Sequence, residues 1–541
     1  MIPYSLGIVL SCIVTTLAVR PAPLVDLGYA KYEGSLNNDT GNIEFFGIRF
    51  AAAPVGTLRW QEPQPPRPTA GIQNADTPPN RCWSADKGTK PVTPFPVDSG
   101  SSLGKRAIPG FSEDCLFLNV VTPASGNGSL PVLVWIHGGG YVSGSASGFT
   151  GSDPFDGDDL IREAGGGVVT VIIQYRLGVF GFLPGQQVHD KGVLNVGLLD
   201  QQFALQWVQR HVSKFGGDPH KVTIWGESAG AGSVLQQVIA NDGNTRPPLF
   251  RAAITSSTFL PSQYAFNDRV PEQIFETVVN RTGCFSAQDT LDCLRKTDVE
   301  ALQQLNTQIE ANGFFGTFTF VPVVDGRFIV KRPTELMREG KVNGEALLAV
   351  TNAFEGTPFV DASTAATVQT PAYLTNLFPE FHDAQVSEGT KQYVNQGTPL
   401  NQAITIMGES IFICPTYSLL RAFKGRAFKG EFAVPPAGHG LDVIYYFPNM
   451  NPGLFPPFNN TVFINNFAQS FLNFAISMDP NMKWDPANTV PRWPKWSEEG
   501  RPEMLFNKTD AGAPVFRAIS TASDLIERCN YWESVGAFSG Q

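Results

Sequence analysis

The stretch VTIWGESAGAGS, residues 222–233, indicates the fold of this chain. Its first four residues form an apolar run of strand length, and residues 229–240 have the pattern of a helix. A strand that passes straight into a helix needs a tight turn, and Gly226 and Gly230 allow the two elements to approach closely. Ser228, between the glycines, would present its hydroxyl at the carboxyl end of the strand. The pattern is typical of a nucleophile elbow, G-x-S-x-G in a strand–turn–helix context.

Strands and helices alternate through the first half of the chain. The segments LPVLVWIHGGG (130–140) and GVVTVIIQYRLG (167–178) are predicted as buried strands, and residues 195–217 as an amphipathic helix. Such alternation predicts a mainly parallel sheet flanked by helices. Because no repeat and no long linker divides the chain, we expect one large α/β domain over residues 19–541.

Charge and hydropathy limit the partners and the compartment. The chain has 49 acidic and 39 basic residues and a formal net charge of −10, without a basic cluster, so nucleic acid is not an expected partner. Residues 6–19 form an uncharged apolar run that is short for a membrane span. We interpret residues 1–18 as a signal peptide and expect a secreted, extracellular protein without stable membrane insertion.

Cysteines and glycosylation motifs fit export. Six cysteines follow the predicted signal, and an even number is typical of disulfide-bonded secreted proteins, although the residue pattern alone leaves their pairing open. Five N-x-S/T motifs are candidate glycosylation sites, at Asn38, Asn127, Asn280, Asn459 and Asn507.

A serine nucleophile needs a base, and histidine is the most frequent one. In this type of fold the chain order is serine, acid, histidine, and only His382 and His439 follow Ser228. His382 lies in a charged stretch with the pattern of a helix surface. His439 lies in a Pro/Gly loop that could reach over a sheet edge, so we predict His439 as the base.

The acid must lie between Ser228 and His439, and many carboxylates qualify by order. Glu355 follows a hydrophobic strand within a few residues, so it should lie at the same sheet edge as the elbow. The residues alone favour it over Asp325 and Asp361, which stay open as alternatives. Its role would be to orient the imidazole and to stabilise the imidazolium.

The sequence HGGGY, residues 137–141, follows a strand and can free backbone N–H groups for a ligand. Such a motif forms the oxyanion-hole loop of lipases and esterases, which predicts donors at Gly139 and Gly140, joined by Ala229 after the elbow serine. A phosphate-binding loop is the alternative, but the lysine and the glycine spacing of the known phosphate motifs are absent.

Together these motifs resemble the type-B carboxylesterases, the family of cholinesterases and secreted fungal lipases. The resemblance extends over nearly the whole mature chain and includes FGGDPHKVTIWGESAG (215–230), EDCLFLNVVTP (113–123), FVPVVDG and TNAFEGT. It implies an α/β-hydrolase fold with insertions capping the active site, and a Ser228–Glu355–His439 triad.

The resemblance also implies finer features. Ser256 and Asp442 would support the triad from behind, and Gly316 and Phe318 would lie in the acyl pocket. An aromatic often stands at the Gly316 position in cholinesterases, so we expect room for acyl groups larger than acetyl. The implied disulfides are Cys82–Cys115, Cys284–Cys293 and Cys414–Cys529.

Departures from the family bear on the substrate. The choline-binding tryptophan of cholinesterases would stand near Lys105, whose charge disfavours choline esters. Lipases of the family carry a helical lid between the positions of Cys82 and Cys115, but this stretch has four prolines between residues 89 and 110 and no helical apolar pattern. We therefore expect no strong helical lid.

We predict a secreted serine hydrolase that cleaves small-molecule or lipid carboxylic esters, with no cofactor and no metal. A triacylglycerol lipase of the same family is the first alternative. A non-catalytic adhesion or binding protein is the second, since some relatives of this fold have lost the serine. The natural ester and the oligomeric state stay open.

Overall fold

The structure, a computed structural model, describes residues 22–93, 109–124, 128–148, 155–450 and 456–541. The predicted signal peptide and the candidate glycosylation site Asn127 lie outside the described residues. Lys105 and part of the stretch between Cys82 and Cys115 also lie outside them, so the structure does not test the expectations for choline esters and for the lid.

Within the described residues the chain forms fourteen strands. In chain order, β1 to β14 are Leu24–Asp26, Lys31–Glu33, Ser35–Leu36, Asn42–Arg49, Ile72–Asn74, Phe117–Pro123, Leu130–Ile136, Val169–Ile173, Gly217–Glu227, Ala252–Ser256, Ala346–Asn352, Ala427–Phe432, Pro502–Lys508 and Pro514–Ser520.

Eleven of these strands form one sheet, in the order β14-β13-β12-β11-β10-β9-β7-β8-β6-β4-β3. In this order, each pair of neighbours from β13 through to β8 is parallel. At one edge β14 pairs antiparallel with β13, and at the other edge β6, β4 and β3 continue the sheet in antiparallel pairs. β1, β2 and β5 form a separate small sheet. A long, mostly parallel sheet needs helices on both faces.

The α-helices supply that cover. In chain order, α1 to α17 are Gly157–Glu163, Gly178–Phe182, Gln186–Lys191, Val196–His211, Ala229–Gly243, Arg269–Arg281, Thr290–Lys296, Val299–Ala311, Pro333–Glu339, Thr370–Leu377, Asp383–Tyr393, Pro399–Gly408, Cys414–Ala422, Val443–Tyr446, Thr461–Ser477, Ser523–Ser534 and Gly536–Ser539. A π-helical turn, Glu409–Ile413, joins α12 to α13.

Two apolar cores lie on the two faces of the sheet. Val134 and Ile136 of β7 point into one core, which includes side chains of α4 and α5. Leu133 and Trp135 point into the other, where α15 contributes a row of phenylalanines. This alternation follows from the two-residue period of a strand, and a strand buried on both faces is continuously apolar.

The predicted fold class is confirmed: a large, mostly parallel sheet flanked by helices, as in α/β-hydrolases. The predicted strands coincide with β7, β8 and β9, and the helix predicted over residues 195–217 is α4, which ends at His211. After His211 the chain forms a short 3₁₀ turn and enters β9 at Gly217.

One helical stretch, Pro399–Ala422, is long and apolar enough by composition to cross a membrane. It comprises α12, the π-turn and α13, and 78% of its most apolar 18-residue segment is buried within the fold. Its apolar side chains belong to the core of the protein.

The three disulfides implied by the resemblance are present. Cys82–Cys115 closes a loop of 33 residues, Cys284–Cys293 one of 9, and Cys414–Cys529 one of 115. The last bond joins α13 to α16. Among the candidate glycosylation sites, Asn38, Asn280 and Asn459 are exposed, whereas Asn507 is half-buried in β13.

We expect the Cys414–Cys529 bond to contribute most to stability, because a long loop gains the most conformational freedom when the bond is lost. Replacing both cysteines by alanine should lower the free energy of unfolding by about 4–5 kcal/mol. The matched pair Cys284→Ala/Cys293→Ala should cost a little under 3 kcal/mol. Denaturant unfolding of both variants measures the difference, and equal losses would contradict the ranking by loop length.

Candidate active site

Five neighbouring strands of the sheet, β12, β11, β10, β9 and β7, end at one edge. Gly139 follows the end of β7, Ser228 follows β9, Glu355 follows β11 and His439 follows β12. Parallel pairing aligns these ends, since Ile136 lies opposite Gly226. Residues that are far apart in the chain are thereby brought to one region, where α/β proteins generally bind ligands.

The turn between β9 and α5 is as tight as the sequence predicts. Ser228 has φ 56° and ψ −125°, a conformation that non-glycine residues rarely adopt. A Cβ atom at Gly226 would lie 2.4 Å from the backbone of Gly230, and a Cβ atom at Gly230 would lie 2.0 Å from the carbonyl oxygen of Ile136. Both positions therefore require glycine.

The glycine loop after β7 packs against this turn. A Cβ atom at Gly138 would lie 3.1 Å from the Cβ atom of Ser228. Gly139 and Gly140 have φ of 104° and 64°, and within the described residues their amides donate to no protein acceptor. Ala229 is the first residue of α5, and the first amides of a helix have no intrahelical partner. The predicted oxyanion donors thus flank the predicted nucleophile.

His137, the first residue of this loop, is buried and contacts its backbone. Its ring is fully buried and stacks on Tyr175 with 4.5 Å between centroids. Its Nδ1 atom lies 3.0 Å from the carbonyl oxygen of Gly138. Burial lowers the pKa of His137 to about 4, so the ring is neutral at physiological pH.

The structure brings together the predicted acid and the predicted base. Nδ1 of His439 lies 2.6 Å from Oε2 of Glu355. Their loops are also joined through the backbone, because the amide of Phe354 donates to the carbonyl of Ala437 at 2.9 Å. The rings of Phe412 and Phe359 pack on the imidazole, with centroids at 4.4 and 5.0 Å.

The other oxygen of Glu355 is held in place as well. Its Oε1 atom accepts from the Ser257 hydroxyl and from the amide of Asn352, both at 2.7 Å. The Asn352 side chain donates to the Ser257 hydroxyl at 3.0 Å. A buried carboxylate with all these partners keeps a fixed orientation.

Ser257, and not the expected Ser256, contacts the acid directly. Ser256 is the last residue of β10, and its hydroxyl accepts from Nε1 of Trp225 at 3.1 Å. Ser257 leaves the strand with φ 59°, which turns its hydroxyl towards Glu355. Neighbouring strand residues point to opposite faces, so one position along the chain decides the contact. The pair of adjacent serines was the only signal for Ser257 in the sequence.

Asp442 lies behind the pair, in the region that the resemblance implies. It is fully buried and accepts from the Asn352 side chain at 3.0 Å and from the Tyr446 hydroxyl at 3.1 Å. Burial raises its pKa. Asn352 thus connects Asp442 to Ser257 and Glu355.

No pattern in the sequence points to Glu227, the residue before Ser228, as part of the site. Its Oε1 atom lies 3.2 Å from Nε2 of His439. Burial raises the pKa of Glu227 to about 8, against the effect of His439. Burial by itself would lower the pKa of His439, but Glu227, Glu355 and Asp442 outweigh it and raise that pKa above 6.5.

The hydroxyl of Ser228 makes no hydrogen bond to His439 among the described contacts; Nε2 faces Glu227 instead. Such hydrogen bonds are often long before a substrate binds. Ser228 is 7% exposed, and its chain neighbour Glu227 carries the carboxylate that Nε2 faces.

The alternative base and acids lie elsewhere. His382 is exposed at the start of α11, with its ring near Phe538. Asp325 accepts three backbone amides in a turn, and Asp361 caps a short turn at Ser363. In the part of the chain that the structure describes, no group of three His, Cys, Asp or Glu side chains is arranged to hold a metal ion.

An apolar cavity of about 930 Å³, counting its open mouth, adjoins the site. Phe318, Phe359 and Phe412 line its near end; a Cβ atom at Gly140 would meet the Phe318 ring at 2.2 Å, and the other two rings pack on His439. The cavity continues to Ile274 of α6.

Gly316 also lines this cavity, but its missing side chain does not widen it. With φ of 82°, a Cβ atom there would lie 2.0 Å from the carbonyl oxygen of Phe359. Backbone already fills the direction in which an aromatic at this position would point. The space for an acyl group therefore comes from the surrounding loops and not from this glycine.

Comparisons with known proteins agree with this geometry. The profile of the carboxylesterase family matches residues 21–524. Carboxylesterase patB of Penicillium expansum is 30% identical over 96% of this chain and 97% of its own length. The secreted triacylglycerol lipase LIP1 of Gibberella zeae is 30% identical over 86% of this chain and 83% of its own.

A crystal structure of EstA from Aspergillus niger superposes with a TM-score of 0.82 at 26% identity, covering 96% of this chain and 99% of that one. Family profile, relatives and fold agree over nearly the full length. The chain therefore belongs to the carboxylesterase family and is a carboxylic ester hydrolase.

Proposed function

We propose that the chain cleaves esters through an acyl-enzyme, with Ser228 as nucleophile, His439 as general base and Glu355 as the acid that orients it. The observation that carries this proposal is the 2.6 Å contact between Nδ1 of His439 and Oε2 of Glu355. It fixes Nδ1–H towards the carboxylate and leaves Nε2 to exchange protons on the side of the elbow.

In the first half-reaction Oγ of Ser228 attacks the ester carbonyl carbon while Nε2 of His439 takes the hydroxyl proton. The carbonyl oxygen becomes an oxyanion, and the amides of Gly139, Gly140 and Ala229 bind it. Loss of one such donor typically costs about 3–4 kcal/mol of transition-state stabilisation. The imidazolium then gives its proton to the departing alcohol, leaving an acyl-serine.

In the second half-reaction water attacks the acyl-serine. His439 takes a proton from the water, and the same amides bind the new oxyanion. When the tetrahedral intermediate collapses, the proton returns to Oγ of Ser228 and the carboxylic acid leaves. Glu355 faces Nδ1 of the imidazole, and an anionic charge at this position stabilises the imidazolium of both steps.

The apolar cavity supports the expectation that the substrates carry acyl groups larger than acetyl. Its lining beyond the phenylalanines is mostly apolar, with Val270, Ile274 and Met407 among the residues at its walls. Burying apolar acyl surface there would contribute about 25 cal/mol per Å².

A triacylglycerol lipase is the second candidate, because the LIP1 relative bears that name and the cavity beside the site is lined mostly by apolar side chains. Hydrolysis of tributyrin across its solubility limit distinguishes the two. A lipase gains activity when the substrate forms droplets, whereas a carboxylesterase follows the dissolved concentration without a jump.

We further propose that the chain is exported as a single catalytic domain with sugar on its exposed motifs. Three disulfides and the exposed asparagines Asn38, Asn280 and Asn459 support an oxidising, extracellular location. A purely adhesive role is disfavoured, because the residues of an ester-cleaving site are all retained.

Replacing Ser228 by alanine should lower kcat on p-nitrophenyl butyrate by roughly a million-fold, because the nucleophile is lost. Ser470→Ala removes another buried hydroxyl, on α15, and serves as the matched control with near-normal activity. Release of p-nitrophenol by equal amounts of folded protein measures kcat of both variants. A Ser228→Ala protein as active as the parent would remove the acyl-enzyme proposal, whereas a folded parent without any activity would revive the non-catalytic alternative.

The pH dependence of kcat/KM should report His439, because the base must be neutral to accept a proton. Its raised pKa places the acid limb above pH 6.5, with activity falling as the pH drops through that limb. Because burial raises the pKa of Glu227 to about 8, Glu227 is neutral below that pH, and Glu227→Gln, which keeps the position neutral, should leave the limb in place.

Glu163→Gln on α1 is the matched control, since Glu163 is also a buried glutamate but lies outside the site. Its profile should coincide with that of the parent. A limb that moves to lower pH in Glu227→Gln would mean that Glu227 is charged next to the base.

Acyl preference tests the role of the cavity. With p-nitrophenyl esters from acetyl to palmitoyl, KM should fall as the chain lengthens until the cavity is filled. Ile274→Trp, which fills the cavity wall at α6, should raise KM for decanoyl and leave acetyl nearly unchanged. Val279→Trp on the same helix is the control, because Val279 does not line the cavity. A flat profile in the parent would contradict acyl binding there.

A further inference from the structure

The long helix Pro399–Ala422 changes its winding beside the site. At Glu409–Ile413 it forms a π-turn, in which the amide of Cys414 reaches back five residues to the carbonyl of Glu409. Such turns are rare and occur frequently at functional sites. This one carries Phe412, whose ring packs on His439 with 4.4 Å between centroids.

Two carbonyls of the π-turn bond outside the helix. The oxygen of Ile411 accepts from the amide of Leu260 at 2.9 Å. The oxygen of Ser410 accepts from Nε2 of Gln541 at 2.8 Å. The turn is therefore tied to two distant segments of the chain.

The side chain of Gln541 completes a bridge between these segments. Its Nε2 atom donates both to the carbonyl of Ser410 and, at 2.7 Å, to the carbonyl of Leu260. Gln541 is 3% exposed, so water does not compete for these bonds. An amide nitrogen has two hydrogens, and both are used here. The backbone around it is also docked, since the amide of Gln263 donates to the carbonyl of Gly540 at 2.7 Å.

The two bridged segments carry the aromatic wall of the cavity. The segment of Leu260 includes Phe259, and the π-turn includes Phe412; their rings pack with 5.4 Å between centroids. Both rings line the cavity, and the Leu260 segment begins with Ser257, which bonds to Glu355. A change in the spacing of the two segments would alter the cavity and the packing against His439 together.

We propose that Gln541 is a positioning residue that sets the spacing of these two segments and so the fit of the acyl group in the cavity. The acyl assignment rests on the proposed function, whereas the bridge itself does not. Gln541 acts through Phe259 and Phe412 and not on the reacting atoms.

The chemistry of the bridge requires an amide of this length. Both partners are carbonyl oxygens, so a group that only accepts hydrogen bonds, such as a carboxylate, would be repelled. An asparagine is one methylene shorter and cannot span both oxygens from the same backbone. A methionine has similar volume but no donor, and it leaves two buried carbonyls without partners.

The π-turn has an independent attachment on its other side. Glu409 accepts from Arg528 at 2.7 and 2.8 Å and from the Tyr393 hydroxyl at 2.7 Å. This buried ion pair keeps the turn attached to α16. We therefore expect Gln541 variants to fold, with the inner side of the turn less well placed.

The decisive experiment compares Gln541→Met with the parent on p-nitrophenyl acetate and p-nitrophenyl decanoate, well below the unfolding temperature of each protein. KM for the decanoate should rise at least fivefold, and KM for the acetate should change less than twofold. Binding of cis-parinaric acid, a fluorescent fatty acid, should weaken at least fivefold in parallel. Gln541→Asn should fall between the two proteins, and it decides the question if the methionine variant does not fold.

Gln174→Met is the matched control. Gln174 is likewise buried, and its Nε2 atom donates to two backbone carbonyls, those of Asn80 and Cys115, but it does not line the cavity. It should lose stability and keep the acyl preference of the parent.

The inference is overturned if Gln541→Met keeps the decanoate-to-acetate ratio of the parent within twofold, or if Gln174→Met shifts it equally. A parent that cleaves neither ester would instead remove the proposed function. In that case the parinaric acid measurement still decides about the bridge, because it needs no turnover.

Discussion

The close crossing of α5 over the end of β7 is the constraint on which the site depends. With glycine at position 230, the helix passes near enough to the Ile136 carbonyl that not even a methyl group fits between them. That contact forces the strained conformation of Ser228 and sets the amide of Ala229 beside the loop of Gly139 and Gly140. Nucleophile and amides are thus positioned by one steric condition.

The parallel sheet extends this order to residues far apart in the chain. Its hydrogen-bond register aligns the ends of five strands, and each end releases a loop that contributes one part of the site. The loops then bond to each other: the Glu355 loop to the His439 loop through the backbone, and Ser257 to Glu355 through its hydroxyl. Polar groups buried in this way hold one arrangement, because any other would leave donors or acceptors unpaired.

Much of this could be predicted from local sequence. Strands buried on both faces are continuous apolar runs, and glycines beside Ser228 indicate the turn, so β7, β8, β9 and the elbow followed from pattern alone. Chain order and strand ends were enough to choose His439. All three of Glu355, Asp325 and Asp361 are compatible with the order; the position of Glu355 after a strand favoured it, and the family resemblance strengthened the choice.

Other features depend on contacts that no local pattern encodes. Whether Ser256 or Ser257 reaches Glu355 is decided by one backbone angle at the end of β10. Glu227 gains its environment only when the loop of His439 folds over it. At Gly316 the missing side chain suggested open space, but the backbone of Phe359, remote in sequence, occupies it.

The helix that carries the π-turn also has a consequence for the chain before it has folded. Before tertiary packing covers it, a 24-residue apolar segment is exposed whose length would satisfy a lipid bilayer. Glu409 stands near its midpoint, and a charge at the middle of a bilayer costs about 3 kcal/mol. The carboxylate that pairs with Arg528 in the fold therefore also makes insertion of the unfolded segment into a bilayer less favourable.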